Sequence, residues 1–242
     1  MLCVTAHPDD ECFAFGGALA LAVERGVEVR VICLTDGQAA TNRGVAKSGP
    51  ELGAMRRKEF EASCEMLGIA HYEVWDYQDA QLEFANFSEV AGLLTAVIRE
   101  WRPEVVLTFG GDGALNTHPD HSLVSFFTTA AFHWAGRPKR YPEQLARGLK
   151  TFCPQRLYFQ TTNFLLPDRP PLLPAPYTVA LDIRSVLEKK LAAFALHTSQ
   201  LPLVEKTRPV FEEFGQSEHY VLAAASKPQP AAHVTGMFDG LM

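Results

Sequence analysis

Two short runs of the sequence concentrate histidine and aspartate, residue types that bind metal ions and transfer protons. The first run is His-Pro-Asp-Asp-Glu at positions 7–11, and the second is His-Pro-Asp-His at positions 118–121. Carboxylates crowded onto one tight turn repel one another unless a cation neutralises them, and a metal ion is the simplest such cation. If Pro119 opens a helix, His118 and His121 lie three positions apart on one face of it. The two runs therefore predict a shared metal site.

The chemistry of the donors indicates which kind of metal site this would be. Two imidazoles and one carboxylate, with coordination positions left open, are typical of a catalytic zinc or ferrous site, whereas structural zinc normally has four Cys or His ligands. The alternative is that both runs are ordinary surface loops. We favour the metal site because two such runs occur together and each follows a predicted strand.

The elements around these runs alternate between short apolar strands and longer helices, which is typical of a mostly parallel sheet. Apolar and β-branched residues predict strands at 2–6, 27–34, 72–75 and 104–109, and apolar residues at helical spacing predict helices at 14–25, 51–67 and 88–101. For the last of these helices, Ser88 is the expected N-cap. We predict an α/β fold, a Rossmann-like and mostly parallel sheet with helices on both faces. Both runs would then lie at carboxyl ends of strands, where such sheets bind ligands.

The second half of the chain has a less regular pattern. It predicts strands at 157–160 and 177–181, helices at 185–196 and around 210–214, and a proline-rich loop or lid at 166–176. At 242 residues, the chain fits a single domain spanning 1–242, with a surface tail from about residue 227.

Composition limits the partners of the protein. The net charge is -6 and no basic stripe is present, which argues against nucleic acid and favours a small-molecule substrate. No run is long and apolar enough to span a membrane, and the first predicted strand leads directly into the polar run without a signal peptide. We therefore expect a cytoplasmic protein, and the sequence is compatible with a homo-oligomer. The cysteines are odd in number and lack paired spacing, so we expect reduced thiols: Cys3, Cys12, Cys33, Cys64 and Cys153.

At this level of detail the sequence resembles the LmbE-like or PIG-L family of zinc-dependent N-acetylglucosaminyl de-N-acetylases. The resemblance rests on Ala6 with the first run, on Gly16-Gly17 in the following helix, and on the second run. It extends from residue 1 to about residue 220. Further matches are Leu34-Thr35-Asp36-Gly37, Arg56 with Glu59, Asp79, and His197 with Ser199-Gln200.

The resemblance implies a role for each residue of the two runs. His7, Asp10 and His121 would bind zinc, and iron(II) fits the same ligand set. Asp9 would be the general base, and His118 the general acid or oxyanion stabiliser. Asp120 would orient His118, although a first-turn acidic residue favoured by the helix dipole is an equal alternative.

The remaining candidates concern the substrate. Arg56 and Asp79 are candidates for binding sugar hydroxyls, with a surface ion pair as the alternative for each. Asp36 is a third candidate, and a purely structural turn is its alternative.

The implied reaction is hydrolysis of the N-acetyl group of an N-acetylglucosamine-type sugar or glucosaminyl conjugate. Two alternatives are a metal-dependent amidase of a larger thiol conjugate and a non-catalytic metal-binding or sugar-binding relative. A dinucleotide-binding protein is excluded because no GxGxxG turn follows the first strand.

Overall fold

The sheet of the computed structural model contains seven strands among the residues that the structure describes, 1–114, 117–164, 174–228 and 236–237. These strands are β1 (Leu2–Thr5), β2 (Arg30–Thr35), β3 (His71–Tyr77), β4 (Val105–Phe109), β5 (Arg156–Thr161), β6 (Val179–Asp182) and β7 (Ser217–Ala225). Their order across the sheet is β3-β2-β1-β4-β5-β7-β6. The first five strands are parallel, and β7 runs antiparallel to both β5 and β6.

Helices connect the strands and cover the sheet. They are α1 (Asp10–Phe13), α2 (Gly16–Glu24), α3 (Gly49–Leu67), α4 (Phe87–Trp101), α5 (Pro119–Ala135), α6 (Pro142–Ala146), α7 (Leu187–Ala195) and α8 (Leu201–Phe214). Single 3-10 turns occur at Leu82–Phe84, Arg184–Val186 and Thr198–Gln200.

The core consists of two apolar clusters, one on each face of the sheet. Along β1, Cys3 belongs to one cluster, whereas Leu2 and Val4 belong to the other. Burial on both faces explains why β1 is apolar at successive positions and not at alternate ones. The predicted Rossmann-like α/β fold with helices on both faces is confirmed.

The strand order reverses beside β1, because β2 and β3 lie on one side of it and β4 and β5 on the other. Open α/β sheets bind ligands in the crevice at such a switch point, outside the carboxyl ends of the strands. The two histidine-aspartate runs follow β1 and β4, so both lie at this crevice. Pro119 is the first residue of α5, as predicted.

Two predictions of local structure were wrong, and one strand was missed. The N-cap of α4 is Asn86 and not Ser88, since the Asn86 side chain accepts the backbone N–H of Glu89 at 3.1 Å. The helix expected around 210–214 is α8, which begins at Leu201 and continues through Pro209. Strand β7 was not predicted at all.

Several remaining expectations concern thiols, loops and membranes. All five cysteines are free and only Cys153 is exposed, which agrees with the predicted reduced thiols. Most of the proline-rich loop and most of the predicted tail lie outside the described residues, although Met237 is buried. Among the described residues, no helix is both long enough and apolar enough to cross a membrane.

Candidate active site

The loop after β1 folds around the carboxylate of Asp10. Oδ2 of Asp10 accepts the backbone N–H groups of Ala6 at 3.1 Å and His7 at 2.8 Å. These two bonds fix the turn that follows the strand. Oδ1 of the same carboxylate faces the second run and lies 3.2 Å from Nε2 of His121.

His121 lies in the first turn of α5 and its ring is held on two sides. The ring stacks on Phe109 with centroids 3.9 Å apart, and Nδ1 lies 3.2 Å from the carbonyl oxygen of Gly113. That carbonyl can only accept, so Nδ1 carries the proton and Nε2 carries the lone pair. Nε2 is fully buried, and its neighbour Oδ1 of Asp10 is also an acceptor, so the two atoms face each other without a hydrogen bond. A buried lone pair of this kind fits a metal ligand.

In His7 the opposite ring nitrogen faces Asp10. Nε2 of His7 lies 3.0 Å from Oδ1 of Asp79 and 3.3 Å from Oδ2 of Asp120, so it donates to carboxylates and leaves Nδ1 for either a second proton or a metal ion. One ligand atom each from His7, Asp10 and His121 fall within 4.8 Å of one another. The residues present therefore fit a divalent cation held by two imidazoles and a carboxylate.

Two other groups of side chains meet the same distance condition, namely His7 with His118 and Asp120, and Glu11 with Cys12 and His197. In the second group, Glu11 and His197 already bond to each other at 2.8 Å. Burial raises the pKa of the Cys12 thiol well above its ordinary value, so this sulfur stays protonated. Of the three groups, the one formed by His7, Asp10 and His121 is the best supported, because it contains the buried Nε2 of His121.

The pKa values of this cluster indicate that it favours a positive charge. Burial lowers the pKa of His7, but hydrogen bonds to Asp120 and Asp79 outweigh burial and raise it to about 10. Burial raises the pKa of Asp10, but the neighbouring His121 and His7 outweigh burial and bring it well below the ordinary value. More carboxylates than positively charged side chains therefore surround the place where the two runs meet.

Asp9 has an unusual backbone conformation, with φ at 116°, in the left-handed region that non-glycine residues rarely adopt. Its N–H donates to Oε2 of Glu11 at 2.9 Å, and its carboxylate accepts from Nη2 of Arg56 at 3.0 Å. Burial, with a smaller contribution from Asp10, raises the pKa of Asp9 to about 6 although Arg56 opposes the shift. A carboxylate with a raised pKa, on a residue with a strained backbone, is typical of a functional group.

Arg56 lies on α3 and only 3% of it is exposed. Besides Asp9, its guanidinium donates to the carbonyl oxygens of Pro8 and of Gly37, the latter at 3.0 Å. Gly37 has φ at 68°, and a Cβ at this position would collide with the guanidinium. Arg56 lines the cavity, but its observed partners belong to the loops that carry the site and not to open space.

His118 is the N-cap of α5, and its Nδ1 accepts the backbone N–H of Asp120 at 3.2 Å. The proton of the neutral ring is therefore on Nε2. Burial, together with repulsion from His7 and His121, lowers the pKa of His118 below its ordinary value.

The carboxylate of Asp120 contacts His7 and accepts the N–H groups of Ala80 at 2.7 Å and Leu82 at 3.2 Å. Asp120 bonds to the ring of His118 through its backbone N–H, whereas we expected its side chain to orient that ring. Asp79 lines the cavity and its second oxygen accepts the N–H of Ala39 at 3.0 Å. Both carboxylates thus hold the ring of His7.

The structure does not bring Asp36 to the cavity wall. Its Oδ2 accepts from Nε and Nη2 of Arg57, both at 3.3 Å, and Arg57 also donates to the carbonyl oxygens of Val74 and Trp75 in β3. These contacts join the end of β2 to its neighbour, which agrees with the structural alternative for Asp36.

A buried ion pair beneath the site was missed by the sequence analysis. Nζ of Lys190 lies 2.6 Å from Oε1 of Glu218, and the Glu218 carboxylate also accepts the N–H groups of Gly17 and Ala18 at 2.7 and 2.8 Å. Glu218 therefore satisfies the amino end of α2. Since β7 was not predicted, no pattern pointed to this residue.

A cavity of about 640 Å³ opens over these residues. A cavity of this size is typical of sites for drug-sized ligands, which are about 300–1,000 Å³. One end is lined by polar side chains of the two runs and their neighbours: His7, Asp9, Asp10, Arg56, Asp79, His118 and His121.

A Rossmann-like sheet with a buried His-Asp-His donor set, and with the strained residue Asp9 at its switch point, has the features of a metal-binding enzyme. Residues 2–132 match the PIG-L family, described as GlcNAc-PI de-N-acetylase. The chain belongs to this family.

Individual relatives agree with that assignment. The diacetylchitobiose deacetylase of Thermococcus kodakarensis is 32% identical over 202 residues, which cover 84% of this chain and 70% of the relative. A solved structure of the N,N'-diacetylchitobiose deacetylase of Pyrococcus horikoshii, in complex with an inhibitor, is similar with a TM-score of 0.74 and 25% identity. That alignment covers 98% of this chain and 87% of the other.

The fold also occurs with a different activity. GalB of Pseudomonas putida, a 4-carboxy-2-hydroxymuconate hydratase, has a TM-score of 0.71 and 23% identity, over 95% of this chain and 98% of the other. This likeness concerns the fold alone, so the reaction has to be argued from the site residues.

Proposed function

We propose that this protein is a metal-dependent de-N-acetylase that hydrolyses the N-acetyl group of an N-acetylglucosamine-type sugar conjugate. The observation that carries the proposal is the donor set of His7, Asp10 and His121, with a buried unpartnered nitrogen on His121, on the same cavity wall as Asp9 and His118. We propose zinc as the ion, and iron(II) suits the same donors. When bound, such an ion supplies Lewis acidity that polarises an amide carbonyl and acidifies water.

Asp9 is the general base in this proposal. Its pKa is raised to about 6, which is close to neutral pH, so its carboxylate is a stronger proton acceptor than that of an ordinary aspartate. Arg56 donates to its carboxylate and Glu11 accepts its backbone N–H, so both the side chain and the backbone of Asp9 are held in place. It takes a proton from the water that attacks the amide carbon.

His118 handles the charge that develops on the substrate. Its neutral ring carries a proton on Nε2, because Nδ1 is occupied by the backbone N–H of Asp120. The Nε2–H of His118 stabilises the oxyanion of the tetrahedral intermediate, and the proton that Asp9 has taken from the water passes to the departing amine. Asp79 and Asp120 hold His7 in the orientation in which Nδ1 faces Asp10.

The class of substrate is proposed from the relatives. The family description names GlcNAc-PI, and the relative from Thermococcus kodakarensis is named for diacetylchitobiose. Both names share an N-acetylglucosamine unit and differ in what is attached to it. Arg56 and Asp79 both bond to the loops that carry the site, so we propose that they support the site and that sugar recognition uses mainly other groups of the cavity. Nε of Arg56 is buried without a hydrogen-bond partner.

Particular residues disfavour one of the two alternatives, the non-catalytic binding protein. A non-catalytic binding protein needs neither a strained base at Asp9 nor a tautomerically fixed His118. A metal amidase of a larger thiol conjugate uses the same chemistry and differs only in the substrate. The expected cytoplasmic location and homo-oligomeric state stay predictions.

The proposal is tested by acetate release from methyl N-acetylglucosaminide and from diacetylchitobiose. We expect release to stop when a chelator removes the metal and to return when zinc is added. Asp9→Asn should lower kcat by about 10²-fold or more while zinc binding is kept. Asp76→Asn, at an exposed position in β3, is the matched control and should keep full activity. Full turnover by the Asp9→Asn protein with zinc bound would refute the general-base role.

A further inference from the structure

The cavity lining also includes a set of apolar side chains that the proposed reaction does not use. Six of them form what we call the apolar wall: Phe13, Phe164, Leu203, Val210, Phe211 and Phe214. The wall is continuous with the proposed catalytic residues, because both line one cavity. A ligand held at the polar end therefore has the apolar wall within its reach.

Most of the wall belongs to α8, and the helix directs one face to the cavity. The lining positions 203, 207, 210, 211 and 214 recur at helical spacing. The other face carries exposed charged residues: Glu205, Arg208, Glu212 and Glu213. Val204 is the one buried residue of the helix, so the core takes up little of the apolar face. That face is left for the cavity.

The aromatic members of the wall are already assembled. Phe164 and Phe214 stack with centroids 5.0 Å apart, and Phe13 meets Phe211 edge to face at 5.2 Å. Phe214 nevertheless remains 37% exposed. Rings that pack on each other and still present open surface to a cavity are suited to an apolar ligand group.

The charged groups near the wall leave it without a strong net charge. Lys190 and Glu218 both line the cavity, but they neutralise each other at 2.6 Å. Lys206 also lines the cavity, but its position is exposed, so water screens its charge. Thr207 bonds to the carbonyl oxygen of Leu203 at 2.8 Å. Sugar hydroxyls gain little from such a surface and lose hydrogen bonds to water there, whereas alkyl or aryl groups gain from being removed from water.

We propose that the substrate carries an apolar group, an alkyl chain or an aromatic ring, which binds against the apolar wall while the N-acyl amino sugar occupies the polar end. This proposal rests on the proposed function for the placement of the sugar. The apolar group is attached either at the anomeric oxygen, as an aglycone, or at the nitrogen, as a longer acyl chain. Both attachments present the same chemistry to the wall.

Binding is measured first, with sugars that lack an amide and cannot be hydrolysed. Isothermal titration calorimetry of the protein as purified should give a Kd for hexyl β-glucoside about tenfold or more below that for methyl β-glucoside. Val210→Asp should abolish this difference. Phe214→Ser, at a partly exposed position, should reduce it without disturbing the fold. The matched control is Leu201→Asp, on the same helix at a 44% exposed position outside the cavity lining, which should leave it unchanged.

Equal Kd values for the two glucosides would overturn the proposal. So would a difference that survives in both Val210→Asp and Phe214→Ser, because hexyl glucoside would then bind elsewhere.

Turnover then distinguishes the two attachments. The value of kcat/KM for hexyl N-acetylglucosaminide and for N-hexanoylglucosamine is compared with that for methyl N-acetylglucosaminide. A gain for the first supports an aglycone on the wall, and a gain for the second supports an acyl chain. A gain for neither overturns the proposal. If the protein hydrolyses none of these amides but still binds the two glucosides with different Kd values, the proposed function is wrong and the apolar binding site is supported.

Discussion

Nε2 of His197 lies 2.8 Å from Oε1 of Glu11, and both side chains are fully buried although 186 positions separate them in the sequence. Ser63 donates to the same oxygen at 2.6 Å, and the other oxygen accepts the N–H of Asp9. The pair therefore lies directly behind the proposed general base and supports its strained backbone.

The His197–Glu11 pair should make stability depend on pH. Burial lowers the pKa of His197, but Glu11 outweighs burial and raises it above 6.5. Burial raises the pKa of Glu11, but His197 outweighs burial and lowers it below 4.5. A raised histidine pKa stabilises the fold fully below about pH 6.5, and this stabilisation is lost as the pH rises through the raised value. A lowered glutamate pKa acts in the opposite direction, so the pair contributes most between these limits.

We therefore expect His197→Gln to reduce the free energy of unfolding by about 3–5 kcal/mol near pH 5.5, because it leaves a buried carboxylate unpaired. The difference from the parent protein should shrink as the pH is raised. Urea denaturation at several pH values measures it. A difference that is constant from pH 5.5 to pH 9 would show that His197 is neutral in the fold.

Arg56→Lys should lower kcat and leave KM nearly unchanged. Lysine cannot bond at once to Asp9, Pro8 and Gly37 in the forked geometry of the guanidinium, so the general base loses its fixed position. We expect a fall of about 10–100-fold in kcat, as for other residues that orient a site. Steady-state kinetics measures both constants, with Arg57→Lys as the matched control outside the cavity. A rise in KM alone would instead favour the sugar-binding role expected from the sequence.

Asp120→Asn should weaken metal binding by about 10–100-fold. The carboxylate accepts from His7 and thereby keeps the lone pair of that ring on Nδ1, whereas an amide accepts more weakly and can rotate. Competition between the protein and a coloured chelator for zinc gives the affinity. Asp112→Asn, another aspartate of the loop that leads into α5, is a control that should keep the parent value. Unchanged zinc affinity in Asp120→Asn would separate Asp120 from the metal site.

Glu218→Gln should destabilise the protein by about 3–5 kcal/mol, because it leaves the buried ammonium of Lys190 without its counter-charge. The amino end of α2 also loses a charged acceptor for two N–H groups. The unfolding midpoint in urea measures the change. Glu213→Gln, at an exposed position of α8, should alter it by no more than about 0.5 kcal/mol.

The first half of the fold could be predicted because its signals are local. The strand β1 is apolar throughout, α3 ends at Gly68, and α5 begins at Pro119, so composition and end signals agree at each element. The two runs were found for the same reason, since each is contiguous in the sequence and follows a strand.

The rest depends on partners distant in the sequence. Strand β7 ends in three alanines, which have low strand propensity, and its place is set by pairing with β5 and β6. The helix predicted around 210–214 was too short, because α8 begins at Leu201 and contains Pro209, a residue type that usually interrupts a helix. The partner of Arg56 also could not be read from its type, because a guanidinium suits a sugar hydroxyl and an aspartate equally well. Asp9 and Arg56 are 47 positions apart in the sequence, and they meet only in the folded protein.

Glu218 also has a consequence for synthesis of the protein. Two of the three proposed metal ligands, His7 and Asp10, are made at the start of the chain, but the next long helix, α2, receives the acceptor for its amino end from β7, about 200 positions later. Until β7 has been synthesised, the N–H groups of Gly17 and Ala18 lack this acceptor, and Lys190, once made, lacks its counter-charge. We therefore expect α2 and the loop before it to reach their final arrangement only after β7 has joined the sheet.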